Sequence, residues 1–377
     1  MPGPAAGSIC DVLPAAAALL GAPGAIDRLG LSDEVGDVDR VAVVLVDGMG
    51  WHLLPRLAAD APLLADVLRS STGRLRQLTC TFPSTTPSSL VSLGTGAQPG
   101  EHGILGFTLN VPGTDRVLTH ITWRDDPPHR QWQPLPTWFE RLARAGLDAR
   151  AVLPVWFLGS GLTEAAYGGA RFVPTNASDD YAELVTNELY ARPGLVYGYT
   201  AELDTAAHVF GIGSPEWHDA AARVDVLLSR LLEALPPNAA LLVTADHGGL
   251  NVPPNARVDL DADPRLGAGV RVVAGEPRVR YLHTQPGAVG DVLATWTEVL
   301  DGWAEVRTRE QAVATGMFGP VAPRNLDRIG DVVVICTGDA AVLATAHEPP
   351  ESAQLIGFHG AATPAELDIP LISVRGR

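Results

Sequence analysis

The hydrophobic positions fall into two patterns that alternate along the chain. Arg40-Val-Ala-Val-Val-Leu-Val46 and Ala239-Ala-Leu-Leu-Val-Thr244 are continuous apolar runs with many β-branched residues. Such runs mark strands buried on both faces of a parallel sheet. Shorter strands are predicted over 74–81, 149–154, 194–199 and 371–374. Helical patterns lie between them: Trp51–Ala59, a helix starting near Thr85 or Thr86 with Pro87 in its first turn, 134–146, Tyr181–Tyr190, and a long amphipathic helix from Ser214 to Leu235. Ser214 and Thr85/Thr86 are good N-caps, and a following proline suits the first helical turn. Gly94 and Gly96 are expected to end the helix that begins there. Strand and helix in alternation predict an α/β fold, with a doubly wound, mostly parallel sheet and helices on both faces.

Two stretches break the rhythm. Residues 1–37 are rich in Ala, Gly and Pro and read as an N-terminal lead-in, with Val12–Leu20 as a short docking helix. Between 252 and 341 turn residues cluster, followed by short strands (270–273, 279–283, 332–336) and a helix over 290–303. This reads as an inserted cap or lid subdomain in a core made of 38–251 and 342–377. Residues 104–133 show no clear period.

The composition narrows the chemistry. The chain has 377 residues, 46% of them hydrophobic, enough for a large core and an insertion. A net charge of −16 leaves no basic footprint for nucleic acid. The sequence contains no lysine, so all 27 basic residues are arginine; Schiff-base and P-loop lysine chemistry are excluded. Three widely spaced cysteines offer neither a disulfide framework nor a thiolate zinc site, and they point to the cytoplasm. No apolar run approaches the roughly 18 residues of a membrane span, and no signal segment is evident.

Candidate chemistry collects at strand ends. Asp47 follows the first buried run and Asp246-His247-Gly-Gly follows the second. Ligands bind at the carboxyl ends of strands in open α/β sheets, although either Asp could simply cap a helix. Asp204 and His208 are four apart and share a helix face, as a metal-binding pair or an exposed polar pair would. Thr81 lies where strand passes to helix, near helix N–H groups that favour a phosphate. His359 sits in a Gly-Phe-His-Gly turn near the end of the chain. Three carboxylates and three imidazoles exceed the needs of one four-coordinate zinc ion but suit two ions.

In order, these motifs are Val-Asp47-Gly-Met-Gly, Thr81-Phe-Pro, Gly-Glu-His102-Gly-Ile, Glu-Leu-Asp204-Thr-Ala-Ala-His208, Thr-Ala-Asp246-His247-Gly and Gly-Phe-His359-Gly. The set resembles the alkaline phosphatase superfamily, in its nucleotide pyrophosphatase/phosphodiesterase branch, over residues 41–374. The resemblance implies an alkaline phosphatase-like core and a site for two divalent ions, zinc or alternatively manganese. Asp47, Asp246 and His247 would hold one ion, with Thr81 as the nucleophile bound to it. Asp204, His208 and His359 would hold the other. The implied reaction is hydrolysis of a phosphodiester or pyrophosphate bond in a small phosphorylated substrate, through a phospho-threonine. A phosphonoacetate-type or phosphomonoester hydrolase, and a non-catalytic binder of phosphorylated ligands, are the alternatives. The chain departs from the branch where an Asn contacts the phosphoryl oxygen, since that place falls at Gly106 or Phe107. Asn110 is the nearest substitute, and Arg280 of the insertion could bring charge over the site.

Overall fold

A computed structural model describes residues 7–69, 72–176 and 180–376. The first six residues of the N-terminal lead-in lie outside the described part. The central sheet has seven strands, in the order Arg74–Thr79, Asp368–Arg375, Ala239–Thr244, Arg40–Val46, Gly194–Thr200, Ala149–Pro154 and Arg171–Thr175. The two apolar runs lie side by side in the middle, in parallel register from Arg40 opposite Ala239 to Leu45 opposite Thr244. Every residue of Ala239–Thr244 is buried, as the unbroken apolar pattern requires.

Helices pack in two groups. Val12–Leu19, Thr86–Thr95 and Trp138–Arg144 touch one another, and Tyr181–Ala191 packs on Pro215–Glu233; Val12–Leu19 and Tyr181–Ala191 each reach the central strand. The docking helix near the N-terminus thus forms as expected. Helix Gly161–Tyr167 and strand Arg171–Thr175 were not legible in the sequence: they are short, and the stretch around them is rich in Gly and Ala.

Among the described strands of this sheet, Asp368–Arg375 alone runs opposite to the other six. The reason is connectivity. The segment after His359 is already at the carboxyl edge, where Asp368 pairs with Thr79, the last residue of its own strand. Entering from that edge without a crossover, the chain must run backwards.

The second sheet is antiparallel, with six strands in the order Ala304–Thr308, Val332–Cys336, Val279–Thr284, Val270–Glu276, Thr108–Asn110 and Val117–Thr119. It therefore recruits the 108–119 hairpin from outside the 252–341 insertion. Its strands alternate between two cores. Leu282, Val332, Val334 and Cys336 pack with Trp296 in a cluster of the cap, whereas Val279, Tyr281, Val333 and Ile335 belong to the main core. The period of two along a strand puts these residues on opposite faces. The cap is thus welded to the α/β core through one whole sheet face.

Helix Thr86–Thr95 continues through Gly94 and stops at Gly96, whose φ is +72°. Gly94 serves a close approach instead of a stop: a Cβ there would lie 1.9 Å from the Ala166 carbonyl oxygen. Helix propensity alone would make Gly94→Ala stabilising by about 1 kcal/mol, whereas overpacking costs about 1–3 kcal/mol. We expect net destabilisation, read as a lower urea midpoint; an unchanged or raised midpoint would refute the close packing.

Candidate active site

Each acidic residue of the site is placed by a strand end. Asp47 leaves the central strand with its N–H bonded to the Thr200 carbonyl at 2.9 Å. Gly48 then takes φ +73°, and a Cβ there would meet the Asp204 Cβ at 3.0 Å. A side chain at 48 would hold off the helix Glu202–Phe210, which carries Asp204 and His208 one turn apart. Asp246 follows the neighbouring strand. Its Oδ1 accepts N–H groups from Gly48 at 3.2 Å and from His247 at 3.1 Å, so two strand-end turns are tied together.

The three histidines are oriented alike. Nδ1 lies 2.7 Å from the Gly357 carbonyl in His208, 2.9 Å from Gly248 in His247, and 2.8 Å from Ser84 in His359. A carbonyl can only accept, so each Nδ1 carries a hydrogen, and in the neutral ring each Nε2 keeps its lone pair. Those lone pairs converge. His208 Nε2 is 3.1 Å from His359 Nε2 and 3.2 Å from Asp204 Oδ2. His247 Nε2 is 3.3 Å from Asp47 Oδ1 and 3.4 Å from Asp246 Oδ2. The His247 and His359 rings stack at 3.5 Å.

This donor set fits divalent cations. Asp47 Oδ1 and Asp246 Oδ2 are buried with no hydrogen-bond donor among the described residues. Two acceptor nitrogens 3.1 Å apart, on His208 and His359, repel unless a cation or proton lies between them. Ligand atoms of Asp47, Asp246 and His247, and those of Asp204, His247 and His359, lie within 4.8 Å of one another. All six residues named from the sequence are therefore brought together.

The electrostatics without a cation point the same way. Burial, then Asp246 and Asp204, push the Asp47 carboxyl well above its usual range. Asp246 is also raised, by burial above all. Burial opposes ionisation of Asp204 too, but His208 beside it holds its pKa below the ordinary value. For His208, burial works against the charged form, yet Asp204 lifts its pKa to about 9. Burial and then His247 drive His359 well below the usual imidazole range.

The structure gives three residues named from the sequence other partners. The Thr81 hydroxyl is buried, donates to the Pro83 carbonyl at 2.8 Å, and lies 3.0 Å from Ser89 Oγ. It is spent within its own turn. Thr86 instead brings its Oγ1 to 3.1 Å from His247 Nε2. Thr85 occupies the N-cap position without a side-chain capping bond and Thr86 is the first helical residue, so Thr86 stands where the free N–H groups are aimed. The Asn110 amide closes a hairpin onto the Thr114 and Arg116 carbonyls at 2.8 and 3.2 Å. Arg280 is buried and committed to Glu348 and the Val342 carbonyl.

Two residues that the sequence did not single out support the site. The Tyr199 hydroxyl donates to Asp47 Oδ2. Ser84 binds the His359 turn on every polar atom: its N–H donates to the Gly360 carbonyl at 3.0 Å, its Oγ donates to Ala361 O and accepts from Gly360 N, and its carbonyl holds His359. His102, by contrast, is buried between Ser92 and the Ile104 N–H, away from the converging donors.

The type I phosphodiesterase/nucleotide pyrophosphatase family model matches residues 41–362. The chain belongs to that family, within the alkaline phosphatase superfamily. The match runs from the first central strand to just beyond His359. Murine ectonucleotide pyrophosphatase/phosphodiesterase 5 is similar in structure, with a TM-score of 0.71 at 19% identity over 89% of this chain and 88% of that one. An inactive threonine-to-alanine variant of the murine protein, in complex with AMP, gives 0.70 at 19% identity over 88% and 87%. The human counterpart gives 0.68 at 16% identity over 89% and 87%. At these identities the likeness shows the alkaline phosphatase-like fold. No curated protein sequence matches.

Elemental analysis of protein purified without chelator should find about two divalent ions per chain; none, or one, would contradict the site. Because His208 must lose its proton to bind an ion, affinity should rise with pH until about pH 9, where the metal-free imidazole is half deprotonated. A flat pH dependence in a metal titration would count against coordination by His208.

Proposed function

We propose that the protein is a two-metal hydrolase of phosphodiester or pyrophosphate bonds in small phosphorylated molecules, with Thr86 as its nucleophile. Family membership supports phosphodiester hydrolysis. The observation that carries the finer reading is the Thr86 hydroxyl, 3.1 Å from His247 at the start of a helix, beside converging carboxylate and imidazole donors. Asp47, Asp246 and His247 would hold one ion and Asp204, His208 and His359 the other; bound zinc or manganese would lower the hydroxyl's pKa and neutralise developing charge.

Thr86 Oγ forms the new bond to phosphorus while the bond to the leaving oxygen breaks, and the hydroxyl proton passes to solvent. The helix N-terminus behind Thr86 favours the phosphoryl anion. Water then attacks phospho-Thr86, which releases the phosphate or monoester and restores the hydroxyl. The His247 and His359 side chains keep their Nε2 atoms directed inward because their Nδ1 hydrogens are fixed on carbonyls. The murine relative in complex with AMP is inactive with a threonine replaced by alanine, in keeping with a threonine nucleophile here.

The substrate is proposed to be a diester or pyrophosphate. Phe107 stands near the family's Asn position, Asn110 is turned into its hairpin, and Arg280 is paired with Glu348. A monoester dianion would need more donors than a diester monoanion. Among the described residues no helix is long and apolar enough to cross a membrane.

With bis-(p-nitrophenyl) phosphate, Thr86→Ala should lower kcat by about a thousandfold or more, as loss of an activated nucleophile does. Thr86→Ser should retain part of the rate, and acid-quenched turnover should leave a p-nitrophenyl phosphoryl group on the 86-containing peptide. Thr81→Ala should keep most activity; if it is dead and Thr86→Ala is not, the nucleophile assignment is wrong. The diester should also show a higher kcat/KM than p-nitrophenyl phosphate, and the reverse order would refute the substrate class.

A further inference from the structure

The loop that presents His359 has few means of its own to hold its shape. Gly360-Ala-Ala362 carries no polar side chain. Gly360 has φ +134°, and a Cβ there would lie 2.9 Å from atoms of the Glu276 side chain and 3.2 Å from the Arg278 Cβ. Glu276-Pro-Arg278 is the turn between the cap strands Val270–Glu276 and Val279–Thr284. The tip of a cap hairpin is therefore pressed against the back of a ligand loop.

Arg278 is fully buried and grips Glu366 with a fork: Nε to Oε1 at 2.9 Å and a terminal nitrogen to Oε2 at 2.7 Å. Its remaining contacts are to the Gly338 and Ala340 carbonyls. The fully buried Glu366 carboxylate is the hub of the loop. Oε1 also accepts the Ala361 N–H at 2.9 Å, and Oε2 accepts the Thr363 hydroxyl at 2.6 Å. The backbone carbonyl of Glu366 accepts from Gly248 N–H at 2.9 Å, next to His247. On the same hairpin tip, Glu276 is buried facing Thr85 and the Phe107 N–H. Its Oε1 and the Thr85 hydroxyl lie near each other without a well-formed bond.

We propose that the cap hairpin tip is a positioning device for the hydrolytic site, in which the Arg278–Glu366 pair fixes the loop that aims His359. The proposal rests on the two-ion reading above. It gives the 252–341 insertion a role beyond covering substrate: the cap sets the geometry of the ion site shared by Asp204, His208 and His359. A bidentate pair suits this, because it fixes orientation as well as distance. The second acceptor positions of Glu366 then carry that orientation into residues 361 and 363.

The test separates positioning from stability. A buried ion pair replaced on both sides by apolar residues often leaves stability unchanged or improved. Arg278→Met with Glu366→Met should therefore fold, yet lose the hub of the loop. Arg278→Lys is the milder companion, since it keeps the charge and loses the fork. Each variant and the parent protein would be titrated with Co²⁺ by calorimetry and visible absorption, with thermal unfolding in parallel. We expect one ion to bind as in the parent and the other about 10–100-fold more weakly, as loss of an outer ligand partner typically causes. Folded variants that bind both ions like the parent would overturn the proposal. So would equal weakening at both sites that tracks a fall in melting temperature. If the parent itself binds fewer than two ions, the two-ion reading fails and this proposal falls with it.

Discussion

Six ionisable side chains meet in one buried place, and the structure depends on how their charges are balanced. Asp47, Asp246 and His247 are almost wholly buried, and Asp204, His208 and His359 adjoin them. Burial of carboxylates without counter-charge costs several kcal/mol for each ion. Backbone geometry blocks an easy escape, because every Nδ1 hydrogen is committed to a carbonyl and every Nε2 turns inward. Cations would resolve the conflict, which already shows in the raised carboxyl pKa values of Asp47 and Asp246.

The fold supplies this cluster from distant parts of the chain. Two adjacent parallel strands deliver Asp47 and Asp246, and the next strand leads into the helix with Asp204 and His208. His359 comes last, just before the one strand of the central sheet that runs backwards. Ser84 then joins the Thr86 turn to the His359 turn, so the proposed nucleophile and the proposed far ligand are tied through one residue. The cap closes the arrangement from behind. Its sheet shares one face with the main core, and it acts as part of the scaffold more than as a separate lid.

The residues that were legible in the sequence are those whose position follows from local rules. An Asp after a β-branched run and a pair four apart on a helix need only the periods of strand and helix. The approach of Thr86 to His247 was not legible because Thr81, Thr85 and Thr86 all lie between strand and helix, and pattern alone does not say which hydroxyl reaches the donors. Its place as the first helical residue, beside Pro87, was the available signal. Ser84, Tyr199 and the Arg278–Glu366 pair were hidden for a different reason: their partners lie 275, 152 and 88 residues away. The 108–119 hairpin was invisible too, since three-residue strands carry too little pattern, and they are defined by pairing with the cap.

The most direct test is a crystal structure of the zinc-loaded protein, with anomalous diffraction recorded on both sides of the zinc edge. The account predicts two peaks about 4 Å apart, the usual spacing of two-metal hydrolases. One should lie among Asp47, Asp246, His247 and the Thr86 hydroxyl, the other among Asp204, His208 and His359. A single peak, or two that leave Thr86 out and take Thr81 in, would contradict it.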